Sequence, residues 1–266
     1  MEAGGQVASK WIAGAAVCVA VLAATPAGAE VVLASDVQVL NSYTATNKYL
    51  ATGAAGPQTV FEFGGVNEIS IASRPGTFLE LCLEFFVPGG GAPRNLNDGW
   101  GGSLLDAGQQ ATAQALLSNT VSTFYGMRDA YVANGGDTNA ANADAGERLQ
   151  GYGGAMQAAL WEIIMDTDLS TTIAGAFGIY HGRYAPGMAS NYQTLYTDEF
   201  LGHLADGSWT DQGGLRYVFA DSGDDQDHIL VQTDPGKVPE PASALLLGVG
   251  LLAMRSVRRQ RAASQA

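Results

Sequence analysis

The chain has 266 residues, with 13 basic against 26 acidic side chains, a net charge of −13 and two cysteines. Nucleic acid and anionic membrane surfaces repel a polyanion of this kind, so neither is an expected partner. The length between the two ends described below is that of one ordinary domain, enough for a hydrophobic core.

The amino terminus reads as a secretory signal. Lys10 supplies positive charge, Trp11 to Ala24 is almost wholly apolar, and Ala27-Gly28-Ala29 puts small residues where a signal peptidase reads them. Cleavage before Glu30 is expected. A retained anchor fits less well, because the apolar run is short for a span of roughly 20 residues. Residues 1–29 are thus assigned to a signal helix, and Cys18 leaves with it.

The next part reads as β. Val31–Leu40, Thr59–Phe63, Glu68–Ala72 and Phe78–Val87 are short β-prone runs separated by Gly, Pro and Asn. Pro88–Gly102 is glycine-rich and predicts a loop. Apolar residues at intervals of three and four then predict helices over Leu104–Leu117 and Val121–Val132, with a polar, irregular stretch at Asn134–Gly146. Further helices are predicted over Ala155–Met165 and Met188–Leu204, and two last strands over Leu215–Phe219 and His228–Gln232. Strands at both ends with helices between predict an α+β class: a β-sheet or sandwich core with a helical insert. No internal repeat or second linker divides residues 30–236, so a single domain is expected.

The carboxy terminus has a different pattern. Val238-Pro239-Glu240-Pro241 precedes the apolar stretch Ala242–Met254, and Arg255, Arg258, Arg259 and Arg261 follow. The prolines stop preceding structure, and the arginines would hold a short apolar helix at a cytoplasmic membrane surface, a transient contact. In order and content, residues 237–266 resemble the PEP-CTERM sorting tail of Gram-negative envelope proteins, better than a simple tail anchor. The resemblance implies cleavage by an exosortase-type processing enzyme, often in bacteria that make extracellular polysaccharide. It also implies a location in the cell envelope, on the outer surface or in the extracellular matrix. Lys10 and the four arginines fall in the two ends, as do Glu2 and Glu240. The segment Glu30–Lys237 holds 8 of the 13 basic and 24 of the 26 acidic residues, a net charge near −16.

That segment keeps one cysteine, Cys82, in a compartment where cysteines are normally paired. In Phe78–Phe85 the alternation puts Leu79, Leu81, Leu83 and Phe85 on one face, and Glu80, Cys82 and Glu84 on the other. Cys82 is therefore off the leucine face, between two carboxylates that oppose thiolate formation. A half-buried, inert thiol is the plain alternative. In the predicted helix, Gln157 lies beside Leu160, Trp161 and Ile164, an amide on an apolar stripe that needs a partner. A capped glutamine in a first helical turn would also account for it. Gly153 and Gly154 would let another backbone come close.

Together, Leu81-Cys82-Leu83-Glu84 and Gln157-Ala158-Ala159-Leu160-Trp161-Glu162 resemble the Cys-Gln thioester domains of bacterial surface adhesins. Leu81 stands where an aromatic residue is frequent, and Glu84 is one position later than in the tightest form of the motif. The resemblance implies an internal thioester between Cys82 and Gln157, with Trp161 packing the helix and Glu84 in support. It also implies attachment to an amine- or hydroxyl-bearing polymer or protein. The alternatives are a passive structural or carbohydrate-binding envelope domain, and, more weakly, a secreted hydrolase. No turnover enzyme is expected.

No cofactor is expected. Asp221–His228 and Asn134–Glu147 are acidic enough for Ca²⁺, but the first lacks EF-hand spacing, and a β-turn and a solvated loop are the simpler readings. His181, His203 and His228 form no metal-ligand spacing, so no metal site is assigned.

Overall fold

The structure is a computed structural model. It describes residues 30–53, 56–85, 94–103, 105–136, 140–166, 168–170, 176–179, 192–223 and 225–233. The signal helix with Ala27 and Ala29, and the sorting tail with Val238, Pro239, Glu240 and Pro241, lie outside the described residues.

Eight strands form one antiparallel sheet: β1 (Glu30–Val32), β2 (Val37–Gly53), β3 (Gly56–Ile71), β4 (Arg74–Cys82), β5 (Arg94–Asp98), β6 (Phe177–Ile179), β7 (Leu215–Asp221) and β8 (His228–Thr233). Their order across the sheet is β1-β5-β7-β8-β4-β3-β2-β6. Among the described residues, three α-helices complete the α+β architecture: α1 (Ala107–Ala133), α2 (Ala140–Met165) and α3 (Tyr192–Ala205). No helix among the described residues is long and apolar enough to cross a membrane.

The sheet is strongly curled, as its ion pairs show. Arg74 on β4 pairs with Glu30 on β1 and with Asp98 on β5, each at 2.8 Å, and Arg94 on β5 pairs with Glu80 on β4. Neighbouring strands are spaced by about 4.8 Å, so in a flat sheet strands three or four places apart are beyond such contacts. The curl gives the sheet two interiors. One face packs Leu79, Leu81, Phe219 and Val231 against helical Leu116, Phe124, Met156 and Leu160. The other closes on itself around Ile69, Phe78, Leu96, Val218 and Leu230.

Several predicted boundaries need correction. The predicted loop 88–102 contains β5, a polar strand that earns its place by pairing with β1 and β7. The two predicted helices after it are one, α1. The Ser118-Asn119-Thr120 interruption is absorbed because the Asn119 amide and Thr120 hydroxyl bond back to the carbonyls of Ala115 and Leu116, at 2.7 and 2.8 Å. Asp106 starts α1 with a reciprocal cap on Gln109.

The α2 helix begins fifteen residues before its predicted start, at Ala140 rather than Ala155, and runs through four glycines that lower helix propensity. Packing overrides propensity there. A Cβ at Gly151 would stand 2.6 Å from the Tyr192 Cβ, and one at Gly153 would stand 2.8 Å from the Tyr43 carbonyl oxygen. The glycines let α2 lie directly on β2 and α3.

Candidate functional site

The leucines of β4 face the helices and are buried, as the alternation predicts. The opposite face, which carries Glu80, is covered as well, as the second interior of the curled sheet. Glu80 is 4 % exposed, ion-paired with Arg94 and hydrogen-bonded by the Asn67 amide at 3.0 Å. These partners hold its carboxyl below the usual range against the opposing effect of burial, which is the largest influence on it. Arg94 thus opposes the repulsion that Glu80 would exert on a Cys82 thiolate.

Strand β3 pairs with β4 only as far as Asn67↔Glu80, whereas β8 continues to Cys82↔His228. Beyond Glu80, the side chain of Gln157 takes the place of a neighbouring strand. Its Oε1 accepts from the Cys82 N–H at 2.8 Å, and its Nε2 donates to the Cys82 carbonyl at 2.7 Å. Gln157 is 1 % exposed, so this pairing satisfies an amide that would otherwise be costly to bury. The close seating of α2 at Gly153, one turn earlier, brings the carboxamide to the end of β4.

Cys82 is half-buried and packs against a separate aromatic cluster. Trp161 is at its centre. Its ring lies 4.7 Å from Phe85, 5.8 Å from Tyr49 and 6.3 Å from Phe177, centroid to centroid, in edge-to-face arrangements. Phe177 comes from β6, a three-residue strand that its short sequence did not reveal. Glu84 turns elsewhere: its carboxylate accepts from the Asp227 N–H at 2.9 Å, and its carbonyl from the Gln226 amide. These bonds fasten the turn before β8, so any support Glu84 gives Cys82 runs through the backbone.

The register sets His228 opposite Cys82. Burial pushes its imidazole down to about 4, although Glu80, 4.0 Å away, pulls the other way, and Arg94 and Asp225 also act on it. A neutral His228 adds no positive charge beside the thiol. The native state therefore resists a proton that the unfolded chain takes up near its ordinary value of about 6.5. Stability is complete above that value and falls as pH drops through the window towards 4. Between pH 7 and pH 5 the loss from this group should be about 2 kcal/mol. Urea unfolding of His228→Gln should show a correspondingly shallower pH dependence, and an unchanged slope would refute the assignment.

The other acidic stretches have local roles. In the turn Asp221–His228, Asp221 accepts from the Gly223 N–H at 2.9 Å, and Asp227 from the Ser222 N–H at 3.0 Å. In the second stretch, Asp144 pairs with Arg148 at 2.7 Å and accepts from the Tyr192 hydroxyl at 2.6 Å. His203 stacks on Trp209, far in sequence from His228, and His181 lies outside the described residues. A groove of about 910 Å³, lined in part by Tyr125, Arg128 and Arg216, contains neither Cys82 nor Gln157.

One group had no role in the sequence reading. Glu162, one residue after Trp161, approaches Asp166 and Asp168 at the end of α2. Burial above all, with the neighbouring carboxylates adding to it, pushes its carboxyl up to about 8.

Comparison with curated proteins and comparison with solved structures each return no significant match. Comparison with protein families matches residues 237–261 to the PEP-CTERM protein-sorting motif, which includes the Val238-Pro239-Glu240-Pro241 segment. The chain therefore carries the sorting signal of an exported protein of the bacterial cell envelope, a substrate for an exosortase-type processing enzyme.

Proposed function

We propose that the domain forms an internal thioester between Cys82 and Gln157 and uses it for covalent attachment at the cell surface. One observation carries this reading: two residues 75 positions apart meet through two hydrogen bonds that fix the carboxamide against the cysteine. Fixed proximity of this kind is what a weak electrophile needs.

Cys82 Sγ attacks Gln157 Cδ, the S–Cδ bond forms and the Cδ–Nε2 bond breaks. The thiol proton leaves with the nitrogen as ammonia. The Cys82 N–H already on Oε1 is placed to stabilise the charge that develops on that oxygen. The aromatic cluster around Trp161 keeps water from the product. A lysine amine or sugar hydroxyl of a partner then attacks Cδ and gives its proton to the departing sulfur. The partner is left bonded to Gln157 and the thiol is restored. Each domain reacts once, so this is attachment and not turnover catalysis. In this reading residues 1–29 direct export, 30–236 attach, and the tail delivers the domain to the envelope of a Gram-negative cell or its matrix.

The same hydrogen bonds also favour a second reading, a passive envelope domain, because they satisfy a strand-end peptide that β3 no longer pairs. Intact-mass spectrometry of the exported protein separates the two. The thioester form is lighter than its sequence by one ammonia and gains the mass of methylamine on treatment, whereas Cys82→Ser and Gln157→Ala keep their full masses. A full mass in the unaltered protein, with no methylamine adduct, sinks the thioester and leaves the passive domain.

A further inference from the structure

Glu162, Asp166 and Asp168 each offer one carboxylate oxygen, and these oxygens lie within 4.8 Å of one another. Exposed acidic neighbours would need no explanation, but Glu162 is 1 % exposed. Its Oε2 is buried without a hydrogen-bond partner, while its Oε1 accepts from the Ser170 N–H at 3.2 Å. A buried carboxylate with one unpartnered oxygen, beside two further carboxylates, leaves a place for positive charge. The surroundings favour a cation as well, since the end of α2 carries the negative pole of the helix dipole.

We propose that Glu162, Asp166 and Asp168 form a Ca²⁺ site that fastens the end of α2 to the segment leading into β6. Three carboxylate oxygen donors, with no histidine or cysteine among them, select a hard divalent ion. Calcium's longer bonds, about 2.3–2.6 Å, and flexible coordination suit this set better than the tight octahedron of Mg²⁺. Asp166 also accepts from the Ala176 N–H, and the next residue, Phe177, packs against Trp161. The ion thus secures one wall of the aromatic cluster beside Cys82. The site stands whether or not the thioester forms.

The test is calorimetric and thermal titration of the purified protein with Ca²⁺ after chelator treatment. One saturable site per chain is expected, with Tm raised by about 5–10 °C when Ca²⁺ is about 100-fold above Kd. Asp168 is exposed, so Asp168→Asn should fold normally and lose at least about tenfold in Ca²⁺ affinity. Mg²⁺ at the same concentration should shift Tm much less. Three results overturn the proposal: no saturable binding, equal binding by Asp168→Asn, or equal stabilisation by Mg²⁺. With no ion, a proton shared between Glu162 and Asp168 would explain the arrangement instead.

Discussion

Trp161→Ala is expected to lower the unfolding free energy by about 3–5 kcal/mol, a large part of what a domain of this size has. The ring is 2 % exposed and touches Tyr49 on β2, Phe85 just after β4 and Phe177 on β6, so its removal leaves a cavity that these three segments cannot close together. Its indole N–H is buried without a partner, so the lost stability is a packing effect and not that of a hydrogen bond. Trp161→Phe should therefore recover most of the loss. Urea denaturation with an unchanged m-value provides the measurement, and a loss below about 1 kcal/mol would contradict this packing role. If the thioester forms, Trp161→Ala should also lose its methylamine reactivity with time at temperatures where it stays folded, as water reaches Cδ.

Arg94→Met should cost about 3–5 kcal/mol for an electrostatic reason, because it strands a carboxylate inside the second core. Glu80 is 4 % exposed and Arg94 is its ion-pair partner from a strand three places away. The penalty belongs to the unpaired charge, not to the lost attraction. The double variant Glu80→Leu with Arg94→Met should then lie within about 1 kcal/mol of the unaltered protein, because an apolar pair can replace a buried ion pair. A double variant as unstable as Arg94→Met alone would show that the pair directs the curl of the sheet.

Much of the candidate site was legible in the sequence, and what was hidden depends on tertiary structure. The two-residue period of Phe78–Phe85 placed the leucines on the helix-facing core, and Gln157 stood out as an amide on an apolar stripe. Periodicity reports which side chains share a face, but not what covers it. The burial of Glu80 comes from a curl that brings β5 over β4, and no local pattern encodes that. The start of α2 was hidden because its glycines signal a break locally, while their use is to admit β2 and α3. Glu162, Asp166 and Asp168 were visible as acidic residues near a helix end. Among 24 in the segment, burial together with an unpartnered oxygen distinguishes the one that matters.

The position of β8 has a mechanical consequence. The matched sorting segment begins at residue 237, four residues after β8 ends at Thr233. Any pull applied through the tail therefore enters the domain at the end of β8. That strand is bonded on both edges, to β4 on one side and β7 on the other. Such a load must shear two ladders together instead of peeling one open, and β4, which shares it, ends at Cys82. A domain tethered in this way would bear tension through the strand pair that holds the cysteine in place.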